Sequence, residues 1–274
     1  MKIDAHQHYW RLARGDYGWL TPDKGTIHRD FAPADLAPHL AAHGIDRTIL
    51  VQAAPTEAET AFLLETAANT PSVVGVVGWV DFEAPDAPRR IAAAARDRRL
   101  VGLRPMLHDI DDPEWLLTKF PAQTAAAMRE AGLVFDALVR PRHLSVLAAF
   151  MDRAACPAVV VDHCAKPQFG NAVPSASWRA DMAALAARGA WCKLSGLATE
   201  APADWTPATL EPYVRHVLEV FGPERIIWGS DWPVVNLAGG YDRWYAAARA
   251  LAGAHPQIFG ANAHACYLSG RGGG

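Results

Sequence analysis

Charge of one sign is in short supply: 26 Lys and Arg against 29 Asp and Glu leave a net charge of -3 over 274 residues. Neither a nucleic-acid binder nor a membrane-surface protein starts from such a balance. Cysteine is scarce too. Cys156, Cys164, Cys192 and Cys266 form no C-x-x-C pair and no dense framework, which favours buried, reduced thiols over disulfides or a metal cluster. No apolar run reaches the roughly 18 residues of a membrane span. The opening Met1–His6 lacks the apolar core of a secretory leader, so the expected location is the cytoplasm. Interior linkers, low-complexity tracts and charge blocks are absent, which predicts one domain over residues 1–268, followed by a flexible glycine-rich tail, Ser269–Gly274. What is plentiful is apolar: 51% of residues are hydrophobic, which excludes a disordered chain, and ten are tryptophan, a residue that fills cores or makes flat walls for ligands.

Short runs rich in Val, Ile and Leu alternate with Ala/Leu-rich stretches from end to end. Eight candidate strands are Lys2–His8, Arg47–Ala53, Val73–Val80, Leu100–Met106, Leu133–Val139, Ala158–His163, Trp191–Gly196 and Arg225–Ser230. Their continuous apolar character suits strands buried on both faces. Helix-like segments lie between them, such as Pro33–His43, Glu57–Asn69, Pro85–Arg98, Pro141–Ala154, Ser175–Arg188 and Ala208–Phe221. Strand–helix alternation demands parallel pairing, and eight such units fit a closed (β/α)8 TIM-type barrel. A doubly wound sheet is the alternative, weakened because no glycine-rich phosphate loop follows the first strand. The long segment Tyr9–Asp30 is expected to form part of the site or its cover.

Chemistry collects at the strand ends. His6 and His8 are two apart on the first strand and so face one side, at the mouth where barrel active sites sit. The sixth strand ends in Asp162-His163, followed by Lys166-Pro167, and the eighth runs into Gly229-Ser230-Asp231-Trp232-Pro233. Taken alone, Asp231 reads as the cap of a following helix, with Pro233 in its first turn. Taken together, a His pair, His163 and Asp231 converge on one mouth and make a site. His39, His43, His143, His216 and His255 fall on or near helices and are expected at the surface; His28, in the long first loop, is assigned no role.

His6-x-His8, Asp162-His163 with Lys166-Pro167, and Gly229-Ser230-Asp231-Trp232-Pro233 resemble the amidohydrolase superfamily, and within it the amidohydrolase-2 group of sugar lactonases and 2-pyrone-4,6-dicarboxylate lactonase. The resemblance runs from Met1 to Ile258-Phe259-Gly260-Ala261-Asn262-Ala263. His8-Tyr9-Trp10 and Gly78-Trp79-Val80-Asp81 look most like the hydrolases of L-fuconolactone and L-rhamnonolactone. One departure matters. A binuclear relative carries a bridging Lys or Glu on the fourth strand and a His on the fifth, where this chain has Gly102-Leu103-Arg104-Pro105 and Phe135-Asp136-Ala137.

The resemblance implies a carboxylic-ester hydrolase that opens an aldonolactone, a small-molecule substrate, in L-fucose catabolism downstream of a sugar dehydrogenase. Asp231 is the expected general base, and His6, His8, His163 and Arg104 the groups that polarise the carbonyl and hold the oxyanion. Metal-free catalysis is favoured, because ester hydrolysis does not demand a metal; the open alternative is one Zn²⁺ on His6, His8, His163 and Asp231. Gln52, Trp79, His108, Lys166, Trp232 and Asn236 lie at strand ends or in the following loops and are expected to contact substrate. Gln52 and His108 equally suit ordinary loop hydrogen bonds, Trp79 and Trp232 suit packing, and Lys166 suits solvent. A zinc-dependent hydrolase or decarboxylase and a non-catalytic sugar-acid binder stand as alternatives, and monomer and homo-oligomer are both open.

Overall fold

A computed structural model describes residues 1–153, 156–170 and 173–269 of the chain. Eight strands pair in sequence order and all in parallel: β1 (Ile3–Gln7), β2 (Arg47–Val51), β3 (Val73–Gly78), β4 (Leu100–Leu103), β5 (Val134–Ala137), β6 (Val159–Val161), β7 (Trp191–Leu194) and β8 (Ile226–Trp228). Each lies inside its predicted stretch and stops short of the predicted C-terminal end. The trimmed residues, His8, Arg104, Asp162 and His163 among them, lie past the strand ends at the mouth, where backbone bonds such as Arg104 N–H to Gly78 O persist and side chains add contacts of their own.

Helices return the chain between strands as expected. Pro33–His43 forms as predicted, and Glu57–Ala68, Ala87–Ala94, Ala176–Ala187 and Pro207–Phe221 differ from the prediction by a few residues at their ends. The Pro141–Ala154 stretch opens as a 3-10 turn and continues as the helix Leu144–Met151; its residue 154, like residues 270–274 of the expected tail, lies outside the described residues. Helices Ala122–Glu130 and Gly240–Ala252 complete the ring after β4 and β8. The main core lies between strands and helices, with Leu50, Leu103, Phe135 and Trp228 facing outward; a smaller cluster of Ile3, Ala5, Ile49, Val77, Val134 and Ile227 fills the barrel interior.

Two details place the site. The β1–β2 register shifts between Asp4 and Gln7, so Ala5 packs in the interior cluster and yet its neighbour His6 also turns inward. Without that bulge, strict alternation would send His6 to the helix side. The barrel is then closed at the mouth by Asp231 N–H donating to His6 O at 2.8 Å and His8 N–H donating to Trp232 O at 2.7 Å. Gly229 permits the approach: a Cβ there would stand 2.5 Å from the Cβ of His6.

The Tyr9–Asp30 segment bends back on itself through paired backbone hydrogen bonds between Trp10 and Phe31. It is pinned to the barrel by Tyr17 Oη donating to Glu59 at 2.7 Å, Thr56 Oγ1 donating to Asp16 at 2.8 Å and Trp19 Nε1 donating to Ala53 O at 2.7 Å. The four cysteines are free thiols; Cys164 and Cys192 are buried, while Cys156 and Cys266 are only half-buried. Among the described residues no helix is long and apolar enough to cross a membrane.

Candidate active site

Asp231 sits at the centre of the mouth. Its Oδ1 lies 3.3 Å from His8 Nε2 and 3.7 Å from His6 Nε2, and both imidazoles are buried. His8 Nδ1 meets Val51 O at 2.7 Å; a carbonyl only accepts, so Nδ1 carries a proton. The facing Nε2 lies against the Asp231 carboxylate oxygen. His163 is fixed by Ser195 Oγ, 2.9 Å from its Nδ1, which leaves Nε2 for the cavity.

Backbone strain is concentrated here. Among the described residues, the non-glycine residues with left-handed φ are His163, Cys164, Ala165, Lys166 and Asp231. Each such residue costs roughly 1–2 kcal/mol. Four in a row turn the chain sharply after β6 and bring His163 and Lys166 to the mouth. Gly196 makes room for this turn, since a Cβ there would collide with the His163 ring. Asp231 does not cap a helix: the 3-10 turn Val234–Ala238 starts from Pro233 with no side-chain cap.

Arg104 enters from the end of β4. Its Nη1 reaches His6 Nε2 at 3.3 Å and Asp162 Oδ2 at 3.4 Å, and its Nη2 donates to Gln52 O. Beneath lies an ionic network for which the sequence carries no motif. Lys193, fully buried on β7, pairs with Asp136 on β5 and lies 3.1 Å from Asp162, while Tyr267 Oη donates to Asp136 at 2.6 Å. Asp162 stands 3.6 Å from His6 Nδ1, which links the network to the site. Lys193 and Asp136 each read in the sequence as one polar residue interrupting an apolar strand; only the pairing of β5, β6 and β7 brings them together.

Charge states follow from these contacts. Burial alone would raise the Asp231 carboxyl, but His163 and His8 overcome it and hold Asp231 below the ordinary carboxylate range. Burial, reinforced by Lys193, holds His6 well below the usual imidazole value, and burial does the same to His163. Asp162, despite burial, is held well below the carboxylate range by Lys193, His6 and Arg104. At neutral pH the site presents an ionised carboxylate and a guanidinium beside the neutral imidazoles of His6 and His163.

A cavity of about 600 Å³ opens above these groups. Arg104, His163 and Asp231 face it from the strand ends, Trp19 and Lys24 from the long first loop, and Arg140 from the end of β5. Arg140, Trp19 and Lys24 were not picked out by sequence reasoning, although a cation immediately after a β-run is a signal that points to Arg140.

A family model described as "Amidohydrolase" matches residues 3–268. The chain belongs to the amidohydrolase family. It is 44% identical to an L-fucono-1,5-lactonase of Burkholderia ambifaria, over 96% of this chain and 93% of that one. It is 36% identical to an L-fucono-1,5-lactonase of Burkholderia multivorans, over 97% and 96% respectively. A crystal structure of an amidohydrolase from Burkholderia multivorans with bound zinc superposes with a TM-score of 0.91 at 36% identity, covering 97% of this chain and 99% of that one.

Within this amidohydrolase the donor set suits a single divalent ion. His6, His163 and Asp231 offer ligand atoms all within 4.8 Å of one another, the three-ligand pattern of a catalytic zinc site with an open position. His8 lies beside Asp231 rather than in that set. Arg104 Nη1 is directed at the same His6 Nε2 lone pair that an ion would use.

The expected substrate residues divide. Lys166 and His108 line the cavity. Gln52 is fully buried and instead braces Arg104, its Nε2 donating to Arg104 O at 2.8 Å. Trp79 lines a neighbouring cavity of about 260 Å³, and its backbone N–H and carbonyl are both engaged by Thr60 Oγ1. Trp232 is buried against Tyr9 and Phe31, so it packs the first loop rather than presenting a face. Asn236 lies in the Val234–Ala238 turn, where Val234 rather than Asn236 reaches the cavity wall. Two helix histidines expected at the surface are buried: His143 Nδ1 accepts from Arg140 N–H at 3.1 Å, and His216 Nε2 meets Arg179 O at 2.9 Å.

Proposed function

We propose that this amidohydrolase opens a sugar lactone, L-fucono-1,5-lactone or a close relative, to the aldonate, as a step in the breakdown of L-fucose-type sugars. The observation that carries the reaction is the 44% identity, along almost the whole chain, to an L-fucono-1,5-lactonase. The mechanism rests on the convergence of Arg104 and three histidines around an ionised Asp231. Asp231 takes a proton from water as its oxygen attacks the lactone carbonyl carbon. The carbonyl oxygen becomes an oxyanion held by Arg104 and His163, whose Nε2 is left for the cavity, while His6 and His8 flank Asp231. Collapse breaks the bond to the ring oxygen, which leaves as an alkoxide and receives the proton from Asp231. The product is a hydroxy acid, ionised at neutral pH.

Catalysis without a metal is the favoured form, supported by the Arg104 guanidinium, which already places a positive charge at His6 Nε2. The second reading, a zinc-dependent hydrolase, is favoured by the zinc-bound relative and by the His6, His163 and Asp231 set. There a zinc ion would act as a Lewis acid and lower the pKa of water. Proton release from L-fucono-1,5-lactone, in weak buffer, separates the two when measured after exhaustive chelation and again after zinc is restored. Undiminished rates in the chelated enzyme support the metal-free form. Activity only with zinc transfers Asp231 from base to ligand. Silence under both conditions overturns lactone hydrolysis.

A further inference from the structure

The cavity wall carries more positive charge than ring opening of a neutral lactone needs. Arg104, Arg140, Lys24 and Lys166 face it, against Asp109 and Asp231. Three of these cations already have acidic partners: Arg104 with Asp162 at 3.4 Å, Lys24 with Asp23 at 3.3 Å and Lys166 with Glu200 at 2.5 Å. Arg140 is the exception. Among the described residues its guanidinium makes no hydrogen bond or ion pair, although its charge adds to His108 in holding the Asp109 carboxyl down; its backbone N–H and carbonyl are both engaged by His143. Yet the residue is half-buried.

Arg140 and Lys166 also line a second cavity of about 320 Å³ beside the first. Arg142 contributes a third cation there, and its Nη2 reaches only the carbonyls of His108 and Ile110, at 3.4 and 3.5 Å. Glu200, already bonded to Lys166, is the sole carboxylate on that wall. A guanidinium on a cavity wall with no acceptor of its own is free to take one from a ligand, and its planar fork matches a carboxylate.

We propose that Arg140 anchors a carboxylate subsite where this second chamber opens off the candidate active site. The acid group it takes is either the carboxylate that ring opening creates or a second acid group on the lactone itself. The identity of the ligand rests on the proposed lactone hydrolysis; the binding does not, so the test reads binding directly.

Titration calorimetry of the full chain with L-fuconate and with L-fucitol, its uncharged counterpart, isolates the carboxylate. The wild type is expected to bind L-fuconate about tenfold or more tightly than L-fucitol, the scale of a charge-assisted hydrogen bond. In Arg140→Met the gap is expected to close, with Arg140→Lys intermediate. An Arg140 that merely supports the fold would weaken both ligands together. Equal affinities in the wild type, no binding of either, or a gap that survives in a folded Arg140→Met variant overturns the assignment. The source of the acid follows from kcat/KM for glucaro-1,4-lactone against glucono-1,4-lactone. A preference for the diacid lactone that Arg140→Met abolishes assigns the subsite to the substrate's own acid group. L-fuconate affinity without that preference assigns it to the product.

Discussion

Replacing Asp231 by Asn removes the proposed base while leaving its surroundings almost untouched. The two side chains are nearly equal in volume, and Asn adopts a φ of +58° more readily than most L residues. The backbone bond from residue 231 N–H to His6 O at 2.8 Å is kept. Stability is therefore expected to change by less than about 1 kcal/mol, a shift of roughly 2–4 °C in Tm. What is lost is an ionised oxygen 3.3 Å from His8 and 3.7 Å from His6, the acceptor for the water proton and its donor to the leaving ring oxygen. A positioned base is worth ~10²–10⁴ in rate, or about 2.7–5.4 kcal/mol of barrier. Initial rates on L-fucono-1,5-lactone, with a thermal melt of the same preparation, test this. A folded variant that turns over within about threefold of the wild type, well short of the loss of a general base, would remove Asp231 from the chemistry.

Since Asp231 is held below the ordinary carboxylate value of 3.8, the base stays ionised down to that pH. The profile of kcat/KM should therefore stay flat from about pH 8 to about pH 5, and an acid limb near 6.5 would hand the rate to a histidine. Burial pushes Glu59 up from 4.5 to about 7, so the folded chain binds this proton more tightly than the unfolded one. Its contribution is fully present below pH 4.5 and is lost as pH rises through about 7, a change of roughly 3 kcal/mol. Melts of Glu59→Gln between those pH values should show a shallower decline than the wild type, and parallel curves would refute the assignment. Lys193→Met strands the buried Asp136 and Asp162 without their cation, a cost of about 3–5 kcal/mol. Its Tm should fall by roughly 6–20 °C, and a melt within about a degree of the wild type would show the network to be dispensable.

The strands were legible because a parallel sheet buried on both faces leaves continuous Val, Ile and Leu runs, and those runs end where the chemistry begins. His163 and Asp231 could be grouped because each follows such a run, and His6 and His8 because they stand two apart at the end of the first candidate strand. The bulge in β1 was not legible: nothing in Ile3-Asp4-Ala5-His6 marks the extra residue, which becomes visible only in the register with β2. Trp79 and Trp232 stayed open between ligand contact and packing because a large aromatic near a strand end serves either equally well; the structure puts Trp232 against the first loop and Trp79 on a neighbouring cavity. His143 and His216 were placed at the surface from their position on or near helices, but His143 has a backbone partner in its own turn, Arg140 N–H, and His216 one on another helix, Arg179 O, which makes burial tolerable.

The seam between β1 and the turn after β8 has a consequence for how the protein comes into being. His8 and Asp231 are separated by 223 residues. At roughly 5–20 residues per second, a ribosome needs about 11–45 s to travel from one to the other. For that interval the first strand exists with its histidines facing an interior that has no last wall. No nascent fragment ending before Asp231 can assemble the proposed site, so activity arrives late and all at once. Premature termination anywhere upstream therefore releases chains that are inert toward the substrate and still carry an unpaired sheet edge.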